Sequence, residues 1–173
     1  MSNFVAIDFE TADYGRDSAC AVGLVKIRAG KVAAKHYRLI RPPRRTFVFS
    51  YLHGIEWADV RSKPDFAGVW PALAEHIVDA DYVLAHNASF DRGVLEACCA
   101  AHDIPAPETP FVCTVKLARA LWDIRPTKLP DVCRRLKIEL RRHHDAALDA
   151  LACARIGMAA LTQGHLLERG LLR

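Results

Sequence analysis

A chain of 173 residues that is 51% hydrophobic and 25% charged can close one sizeable core, and it is too apolar to remain disordered. A net charge of +4 is too mild to identify a polyanionic partner by itself, and no uninterrupted apolar stretch reaches bilayer length. The opening "MSNFVAID" lacks a basic region running into an apolar one, so no secretory signal and no membrane contact are expected. The expectation is a cytoplasmic protein with one domain over residues 1–173.

In chain order, "NFVAIDFE" reads as a first strand from its β-branched and apolar content. "CAVGLVKI", "RAGK" and "VAAKHYRLI" read as a hairpin turning at Gly30. Pro42 and Pro43 end it, and a loop runs to about residue 64. From Phe66 to Ala80 the apolar residues Phe66, Val69, Leu73 and Ile77 recur at helical spacing. "DYVLAHN" is a short buried strand, and "SFDRGVLEACCAAHD" a helix stopped by "IPAPETP". "FVCTV" is a fifth strand, followed by short helices over "KLARALW" and "LPDVCRRL". "DAALDALACARIGMAALT" forms the last long helix, ending near Gly164. Strands alternating with helices after a hairpin predict one mixed α/β sheet with helices on its faces. The six cysteines (Cys20, Cys98, Cys99, Cys113, Cys133 and Cys153) form no CxxC pair and are expected as reduced, buried residues.

The first strand holds two acids. Residues two apart on a strand share a face, so Asp8 and Glu10 project together and Phe9 points the other way. Two close carboxylates repel unless one is protonated or a cation bridges them. Each further acid has an ordinary explanation when taken singly. Asp91, in a helix's first turn, could compensate the helix dipole, and histidines near a helix start are commonly exposed. "HHDAALDA" nevertheless supplies His143, His144, Asp145 and Asp149 together, with Asp149 at the edge of the apolar stripe of its helix. An all-oxygen set beside a histidine, with no cysteine in ligand spacing, suits Mg2+ or Mn2+ rather than zinc. Two such ions suit displacement at phosphorus, and a histidine can take the proton of the attacking water near neutral pH.

"AIDFET", "LAHNASFD" and "HHDAALDA" resemble, in order, the three exonuclease motifs of the DEDDh branch of the DnaQ-like superfamily. That group is typified by the epsilon proofreading subunit of bacterial DNA polymerase III. The resemblance runs from Asp8 to about Ile156. It implies a ribonuclease H-like fold, a five-stranded mixed sheet with three antiparallel strands first. It also implies two Mg2+ ions, replaceable by Mn2+, held by Asp8, Glu10, Asp91 and Asp149, with His144 as general base. Substrate contacts are implied at Phe9 and Thr11 beside the first acids, at His53, Gly54 and Ile55 in "LHGI", and at His86, Asn87 and Phe90. His143 and Asp145 become neighbours of the catalytic set.

The expected partner is a nucleic acid with a 3′ end, DNA favoured over RNA, hydrolysed 3′–5′ to nucleoside 5′-monophosphates. An exoribonuclease of the oligoribonuclease or RNase T type is the alternative, and a non-catalytic nucleic-acid-binding domain a more distant one. The basic clusters "YRLIRPPRR" and "CRRLKIELRRHH" are expected to meet substrate phosphates. The chain stops soon after its last helix, so stable association with a polymerase is not expected. Oligomeric state is not legible, and "RPPRRTFVFSY" ahead of "LHGI" has no assignable role.

Overall fold

The structure, a computed structural model, describes residues 3–162. Three antiparallel strands come first: β1 (Phe4–Thr11), β2 (Ala19–Arg28) and β3 (Lys31–Leu39). β2 and β3 meet in a two-residue turn, Ala29–Gly30, where both residues have positive φ (50° and 73°). That geometry follows the right-handed twist of the strands. On the other side of β1, β4 (Tyr82–Ala85) and then β5 (Phe111–Cys113) pair in parallel. The order is β3-β2-β1-β4-β5, the five-stranded mixed sheet expected from the sequence.

The helices are α1 (Ser50–His53), α2 (Trp57–Val60), α3 (Phe66–Ala74), α4 (Ser89–Ala101), α5 (Thr114–Trp122), α6 (Leu129–Leu136) and α7 (Ala146–Thr162). Two details correct the sequence reading. The loop before residue 64 contains the single-turn helices α1 and α2. The helix expected to reach Ala80 stops at Ala74 and continues as turns. There His76 and Ile77 donate backbone N–H bonds to the carbonyls three residues back, of Leu73 and Ala74. This keeps Ile77 buried on the same face, so the apolar period outlasts the helix. The predicted end of α7 near Gly164 lies outside the described residues.

β1 is buried on both faces, as a central strand with a parallel neighbour should be. Phe4 and Ala6 pack with α5, α6 and α7; Val5, Ile7 and Phe9 pack with α3 and α4. Each large side chain so buried contributes roughly 1.5–3 kcal/mol. Asp8 and Glu10 continue the row that faces α7, so that helix decides what the acids meet.

α7 comes close because glycine stands at the contact twice, once on β2 and once on α7 itself. Gly23 pairs across from Asp8, and a Cβ there would sit 1.9 Å from the Ala146 carbonyl oxygen. A Cβ on Gly157 would sit 2.3 Å from Leu84 Cδ1 and 2.9 Å from Phe4 Cζ. Buried Ala150, Cys153, Ala154 and Ala160 keep the rest of the contact shallow.

All six cysteines are free thiols; five are buried as expected, whereas Cys113, on the short edge strand β5, is half-buried. Burial pushes the thiols of Cys98, Cys99 and Cys133 up to about 11, which leaves them unreactive near neutrality. Among the described residues no helix is long and apolar enough to cross a membrane.

Candidate active site

β4 pairs with β1 only along Phe4–Ala6, so the later backbone of β1 is open to other partners on that side. Asp91 takes one of these groups. From the first turn of α4, its Oδ1 accepts the Phe9 N–H at 2.9 Å. Its carboxylate is therefore fastened to the strand between Asp8 and Glu10, beyond any service to the helix dipole.

α7 supplies the opposite side. Asp145 caps the helix, its Oδ1 accepting from the backbone N–H groups of Ala147 (3.1 Å) and Leu148 (3.3 Å). Asp149 follows one turn later and is 2% exposed. Its Oδ2 accepts from the His144 backbone N–H (3.0 Å) and from His143 Nδ1 (2.8 Å). His144 adopts φ 62°, a left-handed turn that folds "RRHHD" back over the helix start. Asp8, Glu10 and Asp149 each offer an oxygen within 4.8 Å of the others. With Asp91, His143 and His144 they line one cavity of about 290 Å³.

So dense a set of acids resists ionisation. Burial, then the charges of Asp91 and Asp149, hold the Asp8 carboxyl well above the usual range. Burial and Asp149 push Glu10 up to about 7. Burial pushes Asp91 up to about 8 even though the Phe9 N–H favours its carboxylate. Burial lowers His144, and neighbouring His143 lowers it further, so its imidazole stays neutral and able to accept a proton. The Asp149 hydrogen bond raises His143 instead.

The donors fit a hard divalent cation. All are carboxylate oxygens, and buried Asp149 Oδ1 has no hydrogen-bond partner among the described residues. Positive charge at this point would relieve the repulsion that raises the acids.

Among the implied substrate contacts, Phe9, Thr11, His86, Asn87 and Phe90 line this cavity. Phe9 is 3% exposed and belongs to the core, whereas Phe90 is 37% exposed at the rim. His86 is braced: Nδ1 lies 2.8 Å from Thr114 Oγ1, and Nε2 lies 2.9 Å from the Thr127 carbonyl. Because a carbonyl only accepts, Nε2 carries the proton, and burial keeps the ring neutral.

His53, Gly54 and Ile55 instead line an adjoining cavity of about 250 Å³, which shares Glu10 and His144 with the first. The His53 ring is buried between the Thr11 carbonyl (Nε2, 3.1 Å) and the Ile55 N–H (Nδ1, 3.0 Å). Its polar atoms hold α1 to the end of β1. Trp57 packs away from the cavity, with Arg45 over its ring at 5.4 Å.

Four lining residues were not singled out as contacts by the sequence: Phe49, Leu52, Leu129 and His143. Phe49 comes from the stretch that has no assignable role in the sequence, and Leu52 opens "LHGI". Their signal was the apolar "FVFSYL" inside an otherwise polar, proline-bearing loop.

The loop between β1 and β2 braces both rims. Arg44 binds Asp13 (Nε–Oδ2 2.8 Å, Nη2–Oδ1 3.0 Å) and Asp17 (Nη1–Oδ2 2.8 Å, Nη2–Oδ1 2.6 Å). Val48 donates its N–H to the Ala12 carbonyl at 2.7 Å, and Tyr14 packs edge-on to Phe49 at 5.0 Å. Across the opening, Arg16 Nη1 reaches the carbonyls of Ser89 (3.3 Å) and Phe90 (3.4 Å).

Residues 5–156 match the model of the RNase T exonuclease family. DNA polymerase III PolC-type of Thermotoga maritima is 30% identical over 158 residues, which is 90% of this chain. The corresponding enzyme of Bacillus subtilis is 30% identical over 156 residues, 87% of this chain. The chain spans only 12% and 11% of the lengths of those two proteins. Exonuclease X, solved in complex with 5′ overhanging duplex DNA, is 25% identical with a TM-score of 0.72. That match covers 92% of this chain and 93% of the other. The nuclease domain of 3′hExo, a DEDDh family member bound to rAMP, shares the fold at 20% identity and a TM-score of 0.77. It covers 94% of this chain and 93% of its own.

Proposed function

Because this chain belongs to the RNase T exonuclease family and is a DEDDh-type exonuclease domain, we propose that it removes nucleotides from the 3′ end of DNA, single-stranded or frayed, as nucleoside 5′-monophosphates. One observation carries the reading: Asp8, Glu10 and Asp149 converge within 4.8 Å in a cavity that also holds Asp91 and a neutral His144.

Asp8, Glu10, Asp91 and Asp149 would hold two Mg2+ ions, or Mn2+ in their place. Such ions, when bound, neutralise phosphate charge and acidify the attacking water. His144 accepts that water's proton, a service worth about 10²–10⁴ in rate. The hydroxyl oxygen bonds to phosphorus as the bond to the 3′ oxygen of the preceding nucleotide breaks. Asp149 orients this chemistry through the His144 backbone N–H. Phe90, Phe49 and Leu52 offer apolar surface to the terminal base, and Asn87 a polar group beside them. Exposed Arg142, which lines the adjoining cavity, offers positive charge to a substrate phosphate, which makes binding salt-sensitive. DNA is preferred to RNA here because the PolC-type relatives are named as DNA polymerases.

The test uses matched DNA and RNA oligomers, labelled at either end, with Mg2+, Mn2+ or chelator. The expected result is release of the 3′ label first, as a mononucleotide, faster from DNA, and none in chelator. Preferred digestion of RNA would move the protein to the exoribonuclease reading. Tight oligomer binding without turnover in either metal would reduce it to a binding domain.

A further inference from the structure

Asp149 belongs to two donor sets. One is the carboxylate set with Asp8 and Glu10. The other is formed with His143 and His144, each of the three offering an atom within 4.8 Å of the others. We infer that His143, His144 and Asp149 form a second, mutually exclusive metal site that takes zinc and silences the nuclease by capturing its general base. The silencing rests on the functional reading above; the zinc site does not.

The donor chemistry separates the two sets. Two imidazoles and one carboxylate suit zinc, which binds three protein ligands of this kind and leaves its fourth position open. Mg2+ strongly prefers oxygen, and zinc outcompetes Mn2+ at nitrogen-bearing sites. The donors are already close. His143 Nδ1 lies 2.8 Å from Asp149 Oδ2, and the two imidazole rings stack at 3.9 Å between centroids, tilted by 26°, so one ring has to rotate about its side-chain bonds to aim its in-plane lone pair at a shared ion. Asp149 Oδ1 is buried with no partner among the described residues. The left-handed turn at His144 is what brings two consecutive side chains to the same side of α7. His143 is 36% exposed on its side chain, so an ion arriving from solvent meets it first.

Occupation has two consequences. The lone pair with which His144 accepts the water's proton is committed to the ion. Asp149 is drawn from the oxygen set, so zinc competes with Mg2+ through a shared ligand.

The experiment titrates the metal-free full chain with Co2+, whose visible bands separate low-coordinate nitrogen-bearing sites from six-coordinate oxygen sites, and then displaces it with Zn2+. The expected result is a low-coordinate spectrum saturating at one ion per chain. His143→Asn and His144→Gln should each weaken zinc by at least about 10-fold, while Asp8→Asn keeps the spectrum. Thermal melting verifies that each variant is folded. With Mg2+ in excess, zinc should inhibit the parent, and His143→Asn should need at least about 10-fold more zinc to halve its own zinc-free rate. A six-coordinate spectrum overturns the proposal. So does zinc affinity unchanged in both histidine variants, or a site lost in Asp8→Asn instead. A chain with the expected spectrum but no nuclease activity would sink the functional reading and leave the zinc site standing.

Discussion

The two sides of the cavity are held by different physics. The acidic side, from β1, α4 and α7, is set by buried packing so close that no methyl group fits at Gly23 or Gly157. The apolar rim, from Phe49, Leu52 and Phe90, is tied at the surface by Arg44, Arg16 and a few backbone bonds. Close packing fixes carboxylates to fractions of an ångström, as displacement at phosphorus requires. A rim tied by exposed ions can shift without unfolding the protein, which suits the part that must accept different bases. Rigid chemistry beside an adjustable rim is the division these two regions teach.

The largest break in that contrast should come from the acids. Asp8→Asn or His144→Ala should reduce hydrolysis by about 10²-fold or more, read by release of a 3′ label. Without divalent ions Asp8→Asn should also melt higher than the parent near pH 8, because it removes a carboxyl whose ionisation burial and the neighbouring acids oppose in the folded state. A lower melting temperature there would mean that the acids are not in electrostatic conflict.

Next is the packing that holds them. Gly23→Val should cost about 1–3 kcal/mol in denaturant unfolding and most of the activity, because α7 must lift from β2. Full activity with only lowered stability would mean that Asp149 does not depend on this close approach.

A smaller effect follows from the raised carboxyls. Glu10 at about 7 and Asp91 at about 8 bind protons in the folded state that the unfolded chain releases near pH 4. Between about pH 4 and 8 the folded state thus holds more protons, and stability falls as pH rises through that window. The metal-free chain should melt lower at pH 8 than at pH 5 in calorimetry, with saturating Mn2+ narrowing the gap.

The smallest effect belongs to the rim. Arg44→Ala should raise KM severalfold and leave kcat within about twofold, since Arg44 acts only by placing Phe49 and Leu52. Its stability cost should stay below about 1 kcal/mol, because Arg44 is 42% exposed on its side chain. Arg44 holds Asp13 and Asp17 below the usual carboxylate range. That contribution is present above about pH 4 and lost as pH falls through their folded values. Parent and variant should therefore converge in acid. A fall in kcat matching the rise in KM would place Arg44 in the chemistry instead.

The same division explains what the sequence could say. Asp8 and Glu10 were legible because a strand's period of two puts them on one face, and Asp149 because it borders a helical stripe. Those are local regularities, and the five strands followed from similar ones. The rim depends on residues about thirty apart meeting through Arg44 and Asp13, which no period encodes. His143 stands outside the family spacing, so the sequence assigns it no role, yet the turn at His144 brings it to Asp149. Conversely, "LHGI" was readable as a motif, but nothing in it shows that the His53 ring is spent on the Thr11 carbonyl and the Ile55 amide.

The hairpin turn at Ala29–Gly30 has a practical consequence. It lies at the end of β2 away from Ala21, which pairs with Glu10, roughly 20 Å or more along the strand. A Cβ at Gly30 would meet nothing within 4 Å. A fluorophore or surface tether attached beside this turn would leave the cavity mouth clear, so that single molecules could be watched shortening one strand.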